Sequence, residues 1–148
     1  MRTKILLFGL LVLAAGCDSG SSDQAKVAGV VEERNAAVAA ALAAIPVPPG
    51  ATPSLDTSTA RTFSLPDALS VDDAHAFFSD RLPEESALEG WSWCDKRQDD
   101  LGITWRWHRS DDSVSRTVSV DLGRDDRTGE GYVLIVARSG SAPTCDAG

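Results

Sequence analysis

The sequence predicts an α+β domain in which an antiparallel sheet of about four to five strands (a meander) carries one helix on one face, preceded by an N-terminal Ala-rich helix. Three observations indicate this class. An Ala-rich stretch with helical apolar spacing is followed by a proline-rich break. A second helical stretch then begins with a capping signal. From Trp91 onward the apolar period shortens from about 3.6 residues to about 2, which is typical of strands.

The Ala-rich helix is predicted over residues 24–45, where small apolar residues recur at helical spacings. Such a helix can pack on the domain, stand off as a spacer or pair with a partner helix. Residues 46–60 are predicted to be a Pro-rich linker, because closely spaced prolines favour an extended chain. The α+β domain would then occupy residues 61–148.

Residues 61–65 alternate between polar and apolar side chains and predict a strand that Pro66 ends. Ser70 and Asp73 have the spacing of a capping box, which predicts a helix over residues 71–82. Its apolar residues lie on one helical face. We therefore expect this helix to cover one face of the sheet.

Four strands are predicted after Trp91, joined by turns rich in Asp and Gly. Residues 132–137 are continuously apolar, which indicates a central strand. The other strands alternate between apolar and polar residues. This alternation predicts a sheet with one face under helix and the other in water.

Four tryptophans lie in this meander: Trp91, Trp93, Trp105 and Trp107. If the first hairpin turns around Asp99, Trp91 faces Trp107 and Trp93 faces Trp105, so that all four indoles share one face. They can form the core under the helix or an exposed platform for a glycan or a peptide. The opposite face would carry Ser92, Cys94, Lys96, Thr104, Arg106 and His108. Because that face is polar, the core interpretation is favoured.

The N-terminus has a basic start at Arg2 and Lys4, followed by an apolar run over residues 5–15. This run is shorter than the ~20 helical residues that span a hydrocarbon core, and it has the length of a signal-peptide h-region. The stretch Leu13-Ala14-Ala15-Gly16-Cys17 resembles the lipobox of bacterial lipoproteins.

The resemblance implies that residues 1–16 are a signal peptide and that Cys17 carries a diacylglyceryl group on its sulfur. Residues 17–23 would be the lipidated Cys and a polar tether. The protein would be anchored to the cell membrane through its N-terminal lipid, on the extracytoplasmic face. Ordinary secretion after cleavage near Gly16 is the alternative.

The remaining cysteines, Cys94 and Cys145, form an even pair, which indicates one disulfide in an oxidising compartment. The alternative is a catalytic thiol or a metal site. Against a metal site, the sequence contains no CxxC motif, and only His75 and His108 could join the cysteines as zinc ligands.

Composition and motifs favour a binding or scaffolding domain over an enzyme. The formal charge of −8 argues against nucleic acid as a partner, because phosphates require clustered Lys and Arg. His108 with Asp111 or Asp112 is the nearest approach to a base–acid pair, but no nucleophile elbow accompanies it. Asp125 and Asp126 with Glu130 lack EF-hand spacing. We expect no cofactor and no metal.

The partner would be an envelope protein or a cell-wall ligand. A glycan or peptide would bind through the Trp platform, whereas an accessory or inhibitory subunit would use the helix at residues 24–45. A hydrolase built from ordinary residues stays an alternative.

Overall fold

The computed structural model describes residues 21–111, 114–140 and 145. Within this part of the chain, the elements run in the order α1 (Ser21–Ala44), β1 (Thr52–Asp56), β2 (Ala60–Ser64), α2 (Val71–Arg81), β3 (Ser92–Gln98), β4 (Gly102–Asp111), β5 (Val114–Arg124) and β6 (Gly131–Gly140). The predicted α+β class with an antiparallel sheet is confirmed.

The strands form one sheet in the order β1-β2-β6-β5-β4-β3, and each neighbouring pair is antiparallel. β3 to β6 form the predicted meander, and the continuously apolar β6 lies inside the sheet. The sheet has six strands, more than the four to five predicted, because Thr52–Asp56 pairs with β2. The proline-rich composition of residues 46–60 hid this strand. Pro53 fits there because an edge strand leaves one row of N–H positions unpaired.

α2 begins at the predicted residue and carries the predicted capping box. The Ser70 hydroxyl accepts a hydrogen bond from the Asp73 N–H at 3.1 Å, and the Asp73 carboxylate accepts one from the Ser70 N–H at 3.2 Å. The helix ends at Arg81, one residue before the predicted end. Ala74 and Phe78 are fully buried, so that this face of α2 packs on the sheet.

α1 packs on the same face of the sheet, but only through its C-terminal half. Its buried residues start at Val38, and an Nη1 group of Arg61 on β2 donates a hydrogen bond to the Leu42 carbonyl at 3.1 Å. Val27 and Val31, by contrast, are 63% and 48% exposed. α1 therefore joins the core at one end and projects away from it at the other.

The core fills the space between the two helices and one face of the sheet. Trp105 and Trp107 are fully buried and lie opposite Val120 and Val118 on β5. The Phe78 ring centre lies 5.6 Å from that of Trp105. Because a buried indole removes ~150–250 Å² of surface from water, these aromatic side chains dominate the burial.

The register between β3 and β4 differs from the predicted one. Trp93 lies opposite Trp107, so the prediction that Trp93 faces Trp105 and Trp91 faces Trp107 is wrong. The hairpin is not centred on Asp99. The Asp99 carboxylate accepts hydrogen bonds from the N–H groups of Leu101 and Gly102, and the centre of the turn lies beyond Asp99 in the chain.

A β-bulge between Trp93 and Asp95 shifts the rest of β3 to the opposite alternation. Lys96, predicted on the wet face, therefore lies opposite Trp105 on the helix-covered face. Asp95 takes the place opposite Arg106 on the other face. This shift therefore brings Asp95 and Arg106 together as an ion pair on the open face.

Candidate ligand-binding face

Both described helices lie on one side of the sheet, and the other side is an open face of alternating residues. Arg106 lies opposite Ser119 in the centre of this face, and Thr104 lies opposite Asp121 in the next row. Thr117 lies opposite Arg138 on the far side of β5. The alternation that buries Trp105 thus lines up polar side chains on the opposite face.

Two arginines share one carboxylate at the β3 edge of this face. The Nε and Nη2 groups of Arg106 contact the Asp95 carboxylate, and Arg97 Nε donates to it at 2.8 Å. The hydrogen bonds from Arg106 are the largest reason that the pKa of Asp95 is lowered, and they outweigh burial, which acts the other way. The Arg106 side chain is 16% exposed, whereas that of Arg97 is 61% exposed. Arg106 is therefore fixed, and Arg97 can still reach a ligand.

A concavity of about 410 Å³ lies over the centre of the open face. Its lining includes the hydroxyls of Thr104 and Thr117, which can both donate and accept hydrogen bonds, and that of Ser119, which is buried and donates to Asp121 Oδ2 at 3.2 Å. Arg138 lies at its rim, is exposed, and has no charged partner in the described part of the chain. Guanidinium groups bind carboxylates through two parallel N–H bonds. Because the carboxylates of Asp99 and Asp121 also line the concavity, a ligand carboxylate would bind at its Arg138 end, beside the Thr117 hydroxyl.

An apolar margin borders this concavity on β6. Tyr132, Leu134 and Val136 alternate with the core residues and are half-buried. Leu134 lies directly opposite Asp121, so the apolar margin and the polar centre are adjacent. The open face thus suits a ligand that has both polar and apolar groups.

A second polar cluster lies on the helix-covered side and is structural. Glu84 Oε1 accepts hydrogen bonds from Trp105 Nε1 at 2.7 Å and from Lys96 Nζ at 2.9 Å. Burial disfavours the charged form of Glu84, but the bonds from Lys96 and Trp105 and the charges of Lys96 and His75 outweigh it and lower the pKa of Glu84. Lys96 Nζ also reaches Ser79 Oγ at 3.3 Å. Because its ammonium is held by a carboxylate, Lys96 is a poor base for activating that hydroxyl.

The four tryptophans do not form an open platform. Trp91 is 1% exposed, and Trp105 and Trp107 are fully buried. Trp93 is half-buried, with its ring centre 5.3 Å from that of Trp107. A ligand at the surface cannot stack on the three buried indoles. Their burial agrees with the favoured core interpretation.

A disulfide joins Cys94 and Cys145, the pair that the cysteine count favoured. His108 lies beside this disulfide, on the open face. Cys17, the residue expected to carry the lipid, lies outside the described residues, as does Asp112.

The turn expected to be charged, rather than calcium-binding, uses its carboxylate internally. Asp125 Oδ1 accepts hydrogen bonds from the N–H groups of Arg127 and Thr128, both at 2.9 Å. These bonds lower the pKa of Asp125, the one from Thr128 most strongly. The Asp125 carboxylate therefore closes the β5–β6 turn.

Sequence reasoning missed three residues of the open face: Asp95, Arg97 and Arg138. The alternation of β4 and β5 had already indicated a wet face, but the sequence pattern did not show which basic residues would converge there. Asp95 faces Arg106 only because of the bulge, and Arg138 lies opposite Thr117 only through the β5–β6 register.

Comparison with protein families, with curated proteins and with solved structures finds no match to this chain. Neither helix in the described part of the chain combines the length and the apolar character needed to cross a membrane. A functional proposal therefore depends on the geometry of the open face and on the N-terminal sequence.

Proposed function

We propose that this protein is a lipid-anchored extracytoplasmic binding protein whose ligand binds to the open face of the sheet. One observation carries the proposal: a concavity of about 410 Å³, on the face that neither described helix covers, combines exposed arginines with the hydroxyls of Thr104 and Thr117. Its volume falls in the range of ~300–1,000 Å³ that is typical of ligand sites. The lipobox-like sequence that ends at Cys17 supports the anchor.

The projecting half of α1 suits an anchored domain. Every residue over 27–33 is exposed, and helix burial begins only at Val38. At ~1.5 Å per residue, the helix from Ser21 to that point is roughly 25 Å long. This length would hold the open face away from the bilayer. The acidic charge of −8 would repel anionic lipids, so that attachment would depend on the acyl chains.

The ligand chemistry that fits the open face best is a carboxylate-bearing peptide of the cell envelope. Arg97 and Arg138 can bind its carboxylates, and the hydroxyls can bind its amides. Apolar side chains of the peptide would contact the β6 margin. A glycan is less suitable, because Tyr132 is the one Phe, Tyr or Trp on this face in the described part of the chain.

Chemical-shift mapping tests this proposal. The ¹⁵N-labelled chain over residues 18–148 is titrated with cell-wall stem peptides that carry free carboxylates. We expect the amide shifts to cluster at Thr104, Thr117 and Ser119. Changing Arg138→Glu should weaken binding by roughly 10-fold or more, because a hydrogen bond to a charged group contributes ~1.5–3 kcal/mol.

Arg127→Glu is the matched control, since it makes the same charge change at the exposed β5–β6 turn. It should leave the affinity nearly unchanged. Shifts confined to the helices, or equal weakening by both variants, would contradict a ligand on the open face.

A second candidate function, an accessory or inhibitory subunit, is favoured by the exposed valines of α1. Val27, Val30 and Val31 lie at helical spacing and are 63%, 38% and 48% exposed. Replacing all three with Lys should abolish capture of a partner protein from envelope extracts if this surface binds one. Unchanged capture would reject this function.

A further inference from the structure

Three side chains capable of binding a soft metal converge at the end of the open face. Cys94 lies at the β-bulge, His108 lies on β4, and Cys145 approaches from the C-terminal part of the chain. One ligand atom from each residue lies within 4.8 Å of the others. Cys94 is buried, and the other two residues are half-buried. The three groups are thus close together and partly shielded from water.

The imidazole of His108 is not used in the oxidised fold. Its Nδ1 atom is buried and accepts or donates no hydrogen bond among the described residues. Its cross-strand neighbours Ser92 and Thr117 both carry hydroxyls, yet neither bonds to this nitrogen. Buried polar atoms usually have a partner, and one that lacks it calls for a specific explanation.

We propose that opening the Cys94–Cys145 disulfide creates a metal site in which both thiolates and the His108 imidazole bind one thiophilic cation of the Zn²⁺ type. A dithiol reductant supplies two electrons and two protons to the S–S bond and is itself oxidised to a disulfide. The two thiols that result lose their protons to solvent as the metal binds. In the oxidised chain both sulfurs are engaged in the covalent bond, so the site is closed.

The geometry allows this change with a small movement. Tetrahedral zinc with Zn–S bonds of ~2.3 Å and Zn–N bonds of ~2.0 Å places its ligand atoms roughly 3.5–3.8 Å apart. The separations of up to 4.8 Å in the structure are close to this range. Cys145 lies outside the strands of the sheet, so that separating the two sulfurs requires no strand to shift. Three protein ligands leave one position for water, as in zinc sites with an open coordination position.

The proposed site requires His108 as a third ligand, unlike metal binding by the two thiols alone. Thiolates select Zn²⁺ and Cu⁺ over harder ions, and imidazole suits the same metals. The chain contains a second half-buried histidine with an unpartnered ring nitrogen, His75, which lies against Trp105. His75 therefore provides a matched control for the loss of an imidazole.

The test is a Zn²⁺ titration of the untruncated protein, purified in detergent, in competition with a chromophoric chelator. It is performed on the oxidised chain and on the chain reduced with a phosphine. We expect the reduced protein to bind one Zn²⁺ and the oxidised protein to bind none. His108→Gln should weaken binding at least about tenfold, and His75→Gln should not. Co²⁺ in place of Zn²⁺ should give a thiolate-to-metal absorption band in the reduced protein.

Tryptophan fluorescence in the same samples reports whether the reduced chain is folded. A reduced, folded chain that binds no Zn²⁺ would overturn the proposal. Equal affinity of wild type and His108→Gln would also overturn it, since the thiols alone would then hold the metal. Binding that appears only when the chain unfolds would count against it in the same way.

Discussion

The contact between Glu84 and Trp105 gives a quantitative test of how the core is held together. Trp105 is fully buried, and its only polar atom, Nε1, donates to Glu84 Oε1 at 2.7 Å. Glu84→Ala removes this acceptor. A buried donor left without a partner costs ~1–3 kcal/mol. The ion pair with Lys96 adds at most ~1 kcal/mol, because both side chains are about 30% exposed and solvent screens them.

We therefore expect Glu84→Ala to lower the free energy of unfolding by roughly 2–3 kcal/mol. Glu84→Gln keeps an oxygen acceptor for the indole and loses only the charge, so its effect should stay below about 1 kcal/mol. Urea unfolding followed by tryptophan fluorescence measures both values. The Glu84→Gln effect should shrink in 1 M salt, where the Debye length is ~3 Å, whereas most of the Glu84→Ala effect should persist.

Glu33→Ala, on the exposed part of α1, is the control and should change stability by less than about 0.5 kcal/mol. Equal effects of Glu84→Ala and Glu84→Gln would contradict this expectation, because the hydrogen bond to Trp105 would then contribute nothing beyond the charge. Water that reaches the indole in the Ala variant would place the result at the lower end of the range.

Three further expectations concern stability. Gly102→Ala would place a Cβ 2.1 Å from the Leu122 carbonyl oxygen and should lower the free energy of unfolding by at least about 2 kcal/mol, measured by thermal unfolding. The control Gly29→Ala meets no atom within 4 Å and should be neutral or stabilising by up to ~1 kcal/mol. Replacing Cys94 and Cys145 with Ala removes a disulfide whose cysteines are separated by 51 positions in the sequence. The free energy of unfolding in urea should fall by about 4 kcal/mol, and a fall below about 1 kcal/mol would contradict this expectation. Because the pKa values of Asp95 and Glu84 are lowered in the folded protein, their contribution is complete above the ordinary values of 3.8 and 4.5 and is lost as pH falls through the lower folded values. Unfolding free energy should therefore fall below about pH 4.5, and Asp95→Asn should flatten this fall; an unchanged slope would count against the Asp95–Arg106 pair.

The sequence predicted the features of the fold that depend on neighbouring residues. The capping box at Ser70 and Asp73 is local, and so is the alternation that marks β4 and β5. The continuous apolar run of β6 correctly indicated an inside strand, although only its Val133 and Ile135 side is fully buried and its Leu134 side lies half-buried on the open face. Burial of Trp105 and Trp107 followed from the same alternation.

The missed features depend on pairing between distant segments. β1 has the composition of a linker and forms a strand only because its backbone pairs with β2. The bulge at Cys94 reverses the alternation of β3, and no local signal in the sequence revealed it. Since that bulge moves Asp95 to the open face and Lys96 to the helix side, the candidate site could not be assembled without the register.

Photo-crosslinking in living cells shows whether the open face binds an envelope ligand. A photoreactive residue replaces Thr117, which lines the concavity on the open face, or Ala76, which is exposed on α2. We expect the Thr117 position to become covalently attached to cell-wall peptide, released only by wall hydrolases, and the Ala76 position to remain free. Equal attachment at both positions, or attachment only at Ala76, would show that the open face is not the binding surface.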